Sequence, residues 1–252
     1  MIAPARFAYV QARVQARYAE LPAEDDWQRL AGARTLGAFL EEAREGALRG
    51  WVKGFSALSD AHDLDRGLRA LWLEGVEDLV PWLPRTWRPA FDWLRWLPLL
   101  ALLAHAARRQ SLPTWVARDS QLHPLLGPDG VLSPPALISA GGEALLVPPD
   151  DLGGAWLGEW RRRWPASDRC VLVNLERLVA LVQRHAGAFV QGGAEAAWPL
   201  RRELRERMRL DFHRLPLQPA AILAFLALVA LDLERLRAAL MQRALFGTQE
   251  AV

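Results

Sequence analysis

Asp60, His62, Asp63 and Asp65 form the tightest polar constellation in the chain, and their carboxylate and imidazole groups are donors of the kind that bind divalent metals. Their spacing matches no known metal site. Acidic residues are also expected in the first turn of a helix, where they complement the dipole and the free N–H groups, so the cluster reads as a solvated helix start. Cys170, the single cysteine, excludes an intrachain disulfide and a thiolate zinc cluster. It stands in the apolar run Cys170-Val171-Leu172-Val173, which predicts a buried, inert thiol. His105, His123, His185 and His213 each stand alone. Lys53-Gly54 lacks the glycine-rich loop and the following hydroxyl of a phosphate cradle, and the sequence contains no HExxH, GxSxG or CxxC. No catalytic, cofactor-binding or metal-binding residue is assigned on this reading.

Two stretches carry chemistry suited to binding. Trp156, Trp160 and Trp164 with Arg161, Arg162 and Arg163 have the residue types that stack on bases and contact phosphates. Their spacing by four puts the rings on one helical face, which predicts a plugged core groove with arginines on the wet side. The second stretch sets Arg201, Arg202, Arg205, Arg207, Arg209 and Arg214 against Glu203, Glu206 and Asp211, a net positive helix. An acidic partner or an anionic surface would suit it, and a merely solvated face is the plainer alternative.

The elements that must position these residues read as helices. The longest predicted helix, Pro219 to Gly247, opens with proline at the first helical position and stops at a glycine expected to form a left-handed cap. Ala220 to Leu231 carries no polar residue, so this half must be covered on every side, whereas Leu233, Leu236 and Leu240 keep one apolar face and Asp232, Glu234, Arg235 and Arg237 fall on the rest. The apolar run is too short to span a bilayer, which needs about 20 residues. Phe7, Val10, Val14 and Tyr18 recur at helical spacing. Asp25 or Asp26 can cap a short helix through Leu30, and Thr35 can cap a third carrying Leu36, Phe39, Leu40 and Ala43. Ser59 or Asp60 begins another, holding register through Leu79 until Pro81 and Pro84 break it. A helix from about Trp87 runs to residues 110–113, with a kink predicted at Pro98. From about 124 to 150 proline and glycine replace helical periodicity, and Leu137-Ile138 and Leu145-Leu146-Val147 flank Gly141-Gly142 as in a small β-hairpin.

The 252 residues, 52% of them hydrophobic, suffice for a sizeable core. The expectation is a single all-α domain over 1–252 with an irregular excursion at about 124–150. A net charge of +2 gives no footprint of a general nucleic-acid binder. Lys53 is the sole lysine, and the N-terminal stretch has no continuous apolar segment of a secretory signal, which suggests a cytoplasmic location.

Phe7-Ala-Tyr9-Val-Gln-Ala12-Arg13-Val14, followed by Thr35-Leu36-Gly-Ala-Phe39-Leu40, resembles the opening of the funnel-shaped stalk subunit called C in A/V-type rotary ATPases and d in vacuolar ones. Ile222-Leu-Ala-Phe225-Leu, then Leu233-Glu234-Arg-Leu236-Arg237 and Phe246-Gly247, resembles that family's last helix. Gln11 stands where the family commonly has Asn, and the chain is short for the family. The resemblance implies a funnel-like assembly of helical bundles without catalytic residues or cofactors. It also implies a seat between the central stalk and the membrane rotor ring of an ion-translocating ATPase, peripheral to the cytoplasmic membrane, with neither nucleic acid nor small-molecule substrate. In that setting Arg201, Arg202 and Arg205 are the candidate partner-binding residues, because forked guanidinium donors suit carboxylates. A helical adaptor of another cytoplasmic complex is the alternative.

Overall fold

The computed structural model describes residues 5–108, 116, 119–127, 131–192 and 194–247. Among these residues the protein is all-α, with short 3-10 turns between helices and one isolated antiparallel bridge, Leu126 to Leu132, as its only β pairing. None of these helices is long and apolar enough to cross a membrane.

The single domain expected from the sequence divides into two compact units, Met1–Arg85 with Ala166–Val252, and Thr86–Pro165. The junctions fall just after Pro84 and at Pro165, where proline ends helical hydrogen bonding and lets the chain leave one core for another.

The first unit contains α1 (Ala5–Ala19), α2 (Glu24–Leu30), α3 (Leu36–Glu45), the single turn α4 (Arg49–Val52) and α5 (Ala61–Leu79). After the second unit it resumes with α10 (Arg169–Gln191), α11 (Ala197–Arg214) and α12 (Pro219–Phe246). Helix α12 is the central post. Its most extensive packing is against α11, and α5, α1, α10 and α3 also lie on it. Ala220, Ala221, Ile222, Ala224, Phe225, Leu226 and Leu228 are buried, and the other residues of the apolar half are half-buried. Each large side chain so buried is worth about 1.5–3 kcal/mol. Phe7, Val10 and Val14 of α1 are fully covered, as are Leu64, Val76 and Leu79 of α5.

Local chemistry sets the helix ends. Thr35 caps α3, its hydroxyl accepting from the Ala38 N–H at 3.2 Å. Asp60 caps α5, one carboxylate oxygen accepting from the His62 and Asp63 N–H groups at 2.8 Å each. The cap expected at Asp25 or Asp26 is displaced: α2 starts after Ala23, and Asp26 sits one turn in, its carboxylate accepting from the Ala23 N–H at 2.9 Å. Gly247 differs too. Its φ is −63°, not left-handed, and it is needed for space, since a Cβ there would collide with the Arg243 carbonyl that its own N–H bonds at 3.0 Å. Left-handed backbone occurs instead at Leu217, φ 61°, in the turn from α11 to α12. Buried Gln11 of α1 accepts from the Leu217 N–H at 3.3 Å, and Asn174 of α10 donates to Gln218 at 2.8 Å, so that two other helices hold the turn.

The second unit contains α6 (Arg88–Asp92), α7 (Leu100–Ala107), α8 (Pro134–Ser139) and α9 (Leu152–Arg162). The kinked helix expected through Pro98 is broken into α6, a 3-10 stretch Trp93–Leu99 and α7. Its predicted end at residues 110–113 lies outside the described residues. The hairpin expected around Gly141-Gly142 is a helix ending. Leu137 and Ile138 belong to α8, Gly141 takes φ +79°, and the Gly141 and Gly142 N–H groups bond back to Ile138 and Leu137 at 2.8 Å each, a Schellman cap. Glycine supplies the left-handed residue for either structure, and the apolar run before it has settled into α8. The tryptophan stripe plugs this unit's core as its spacing predicts. Trp156 and Trp160 are buried and stacked at 5.8 Å, Trp160 donates to the Ala90 carbonyl at 2.8 Å, and Trp93 donates to the Trp156 carbonyl at 3.0 Å.

Candidate functional site

The surface of α11 that faces α12 and the start of α2 opens into a cleft of about 910 Å³ within the first unit. Trp198, Arg201, Arg202, Arg205 and Arg209 of α11 line it at spacings of three and four, so one helical face presents them together. Tyr18 of α1, Glu24 of α2, Glu206 of α11 and Leu228, Leu231, Asp232 and Arg235 of α12 also line it.

Its floor is an ion pair. Asp232 is wholly buried, and Arg205 donates to one of its carboxylate oxygens while the other has no hydrogen-bond partner. Burial pushes the Asp232 carboxyl up to about 6, against the pull of the Arg205 charge and hydrogen bond. Arg205 also donates to the Pro22 carbonyl at 3.3 Å, tying α11 to the segment before α2.

A second pair forms one wall. Arg235 donates through both terminal nitrogens to Glu24 at 2.7 and 2.9 Å, a fork geometry that holds the Glu24 carboxyl below the usual range. The same guanidinium lies over the rings of Trp27, at 4.7 Å, and Trp198, at 5.1 Å. Trp198 is nevertheless 50% exposed, so an indole face stands at the cleft with its orientation fixed from one side.

The remaining cations are less committed. Arg201 lies over the Phe189 ring at 4.9 Å, and Arg209 meets Glu206 only at 3.9 Å. Arg202 is exposed and has no hydrogen-bond or ion-pair partner among the described residues. The sequence-predicted trio of Arg201, Arg202 and Arg205 is thus brought to one cleft, in three different states. Arg202 reaches Glu24 only through its charge, Arg201 is braced on a ring, and Arg205 is spent on the floor.

Sequence reasoning missed Asp232, Trp198, Arg209 and Arg235 as members of this site. Asp232 was expected on the polar face, yet it stands four residues from both Leu228 and Leu236, in register with the buried stripe. An acid in that register, with an arginine-rich helix next in the chain, was the available signal.

The other sequence candidates have separate fates. Asp60 is occupied as a cap, and Asp65 takes Arg69 and, at 2.9 Å, Arg237. Among the described residues no group of three or more His, Cys, Asp or Glu is placed to hold a metal ion. Cys170, expected to be buried, is exposed. It lies in the first turn of α10, whose buried positions begin only at Leu175, and Val173 beside it is exposed as well.

Among the described residues the cleft lining contains no serine, threonine, cysteine, histidine or lysine, and its one hydroxyl is the phenol of Tyr18. Its buried acid Asp232 is taken by Arg205, and arginines outnumber acids in the lining, so the arrangement suits binding of negatively charged groups. Set against known protein families, curated proteins and solved structures, the chain matches none.

Proposed function

We propose that the protein is a non-catalytic central-stalk subunit that couples the soluble rotor of a V/A-type ion-translocating ATPase to its membrane rotor ring, held at the cytoplasmic membrane through its partners. The observation that carries this reading is where the two family-like ends lie. The amino-terminal stretch forms α1 and α3, the carboxy-terminal stretch forms α12, and α12 packs on both. Residues 7–40 and 222–247 therefore build one part of one core, as two halves of a single inherited framework would. An all-helical frame with an arginine-lined cleft, in which the described lining residues include no serine, threonine, thiol or imidazole, supports a gripping role over a chemical one.

Torque transfer needs firm, many-point contact rather than a reaction, and arginine forks give that contact to carboxylates. The same cleft also suits a helical adaptor of a different cytoplasmic complex, so partner identity is the discriminating observable. Tagged protein co-expressed with the central-stalk and rotor-ring subunits of a V/A-type ATPase from the same organism should retain them through purification, and the chain alone should not hydrolyse ATP. Recovery of neither subunit, under salt conditions where the tagged protein is folded, would remove the rotary reading; ATP hydrolysis by the chain alone would remove both non-enzymatic readings.

A further inference from the structure

We propose that the α11 cleft is the seat of an acidic segment of a partner protein, gripped by Arg201, Arg202 and Arg209 with Trp198 as its apolar platform. Arg205 and Arg235 hold the seat in shape and do not take the partner. This rests on the reading of the protein as an interaction subunit and names the partner's chemistry.

Charge bookkeeping inside the cleft favours an acidic occupant. Some arginines elsewhere in the same unit are paired across helices, as in Arg17 with Asp78 at 2.7 Å and Arg177 with Asp211 at 2.7 Å, and what sets the cleft apart is five arginines converging on one lining. The cleft sets five arginines against three acids, and two of those acids are engaged within the walls, Asp232 with Arg205 and Glu24 with Arg235. That leaves Arg202 with no direct partner and only a through-space pull on Glu24, Arg201 on an aromatic face, and Arg209 in a long contact with the third acid, Glu206.

Spacing then decides the size of the ligand. Arg201 and Arg209 are eight residues apart on one helix, which at 1.5 Å per residue is roughly 12 Å. One small anion cannot bridge that span, whereas a chain bearing several carboxylates can. The walls are also mixed: Leu228, Leu231 and the half-exposed Trp198 ring stand among the cations. Arginine beside tryptophan is the composition of an interface hot spot, where an apolar anchor excludes water from the charged contacts.

The test uses the intact chain and fluorescein-labelled poly-L-glutamate of roughly 20 residues, an extended polyanion when ionised and long enough to span the roughly 12 Å between Arg201 and Arg209. Fluorescence anisotropy at low salt should show saturable binding that weakens as salt screens the contacts. Arg202→Glu with Arg209→Glu should weaken it about tenfold or more, and Trp198→Ala by several-fold. The charge-matched pair Arg49→Glu with Arg184→Glu, exposed outside the cleft, should leave it nearly unchanged. Circular dichroism melts verify folding, and Arg202→Gln with Arg209→Gln serves if the reversed charges disturb it. The proposal is overturned by an absence of saturable binding, or by equal loss in the control pair. It is also overturned if tripolyphosphate or oligothymidylate displaces the probe at lower concentration than unlabelled polyglutamate does. Polyglutamate binding without co-purified rotor subunits would leave the cleft standing and remove the rotary reading. Rotor subunits retained by a protein that ignores polyglutamate would do the reverse.

Discussion

Burying a carboxylate costs more than an exposed ion pair returns, and the protonation of Asp232 is governed by that balance. Its carboxyl is raised from 3.8 to about 6 because burial outweighs the attraction of Arg205. The folded value lies above the unfolded one, so the native state keeps a proton through the interval in which the unfolded chain has lost it. That stabilisation is complete below about pH 4 and is lost as pH rises through 6; by the difference in pKa it amounts to roughly 3 kcal/mol. Asp232→Asn cannot titrate. Urea melts of both proteins should therefore show the wild type gaining stability on the variant as pH falls from 7 to 4, and a constant difference would mean that Asp232 titrates normally. At pH 7 Arg205→Ala strands the buried carboxylate and should cost about 3–5 kcal/mol, while Arg205→Met with Asp232→Leu should recover most of the loss. Recovery would identify Arg205 as part of the cleft's frame, whereas an Arg205→Ala variant as stable as the wild type would return it to the gripping set.

At the scale of elements, α12 determines what the first unit tolerates. Leu226 is 2% exposed in the half of α12 where every residue is at least half-covered. Leu226→Asp would place a charge there with no partner, costing several kcal/mol out of a typical total of about 5–15. The variant should lose the cooperative helical melt seen by circular dichroism, and an unchanged melting temperature would refute the burial of the post. The post was legible because a twelve-residue run without polar groups leaves a helix no solvent face. The helix at Phe7 was legible from periodicity, and those at Thr35 and Asp60 because periodicity and caps agree. What was not legible depended on neighbours. Cys170 lies among apolar residues in sequence, yet its turn of α10 precedes the part that packs. Gln11 reads as a surface polar residue of α1, but the strained turn at Leu217 gives its amide a buried acceptor role. The Gly141-Gly142 pair signals left-handed backbone correctly without saying whether a helix or a strand precedes it.

At the scale of the whole molecule, the helical class followed from periodicity, but the division into units did not, because proline marks a break in a helix without marking a change of core. The prolines at 81, 84 and 165 bracket an insertion: the second unit enters and leaves the chain of the first between Arg85 and Ala166. The first unit has its own core around α12, its own capped helices and charge pairs, and the complete arginine cleft, including floor and walls. Domains inserted this way are often separable, since each buries its own apolar surface and the connections lie where few contacts cross. Replacing Thr86–Pro165 by a flexible glycine-serine linker should therefore yield a helical protein with one cooperative melting transition. If the cleft belongs to this unit alone, the shortened chain should also bind labelled polyglutamate within a factor of about two or three of the intact protein, the usual context dependence of such terms. A shortened chain that melts without a transition would show that the first unit depends on the second for its stability. One that folds cooperatively yet fails to bind would show that the second unit supplies part of the seat, and would move the search for the partner's remaining contacts to Thr86–Pro165.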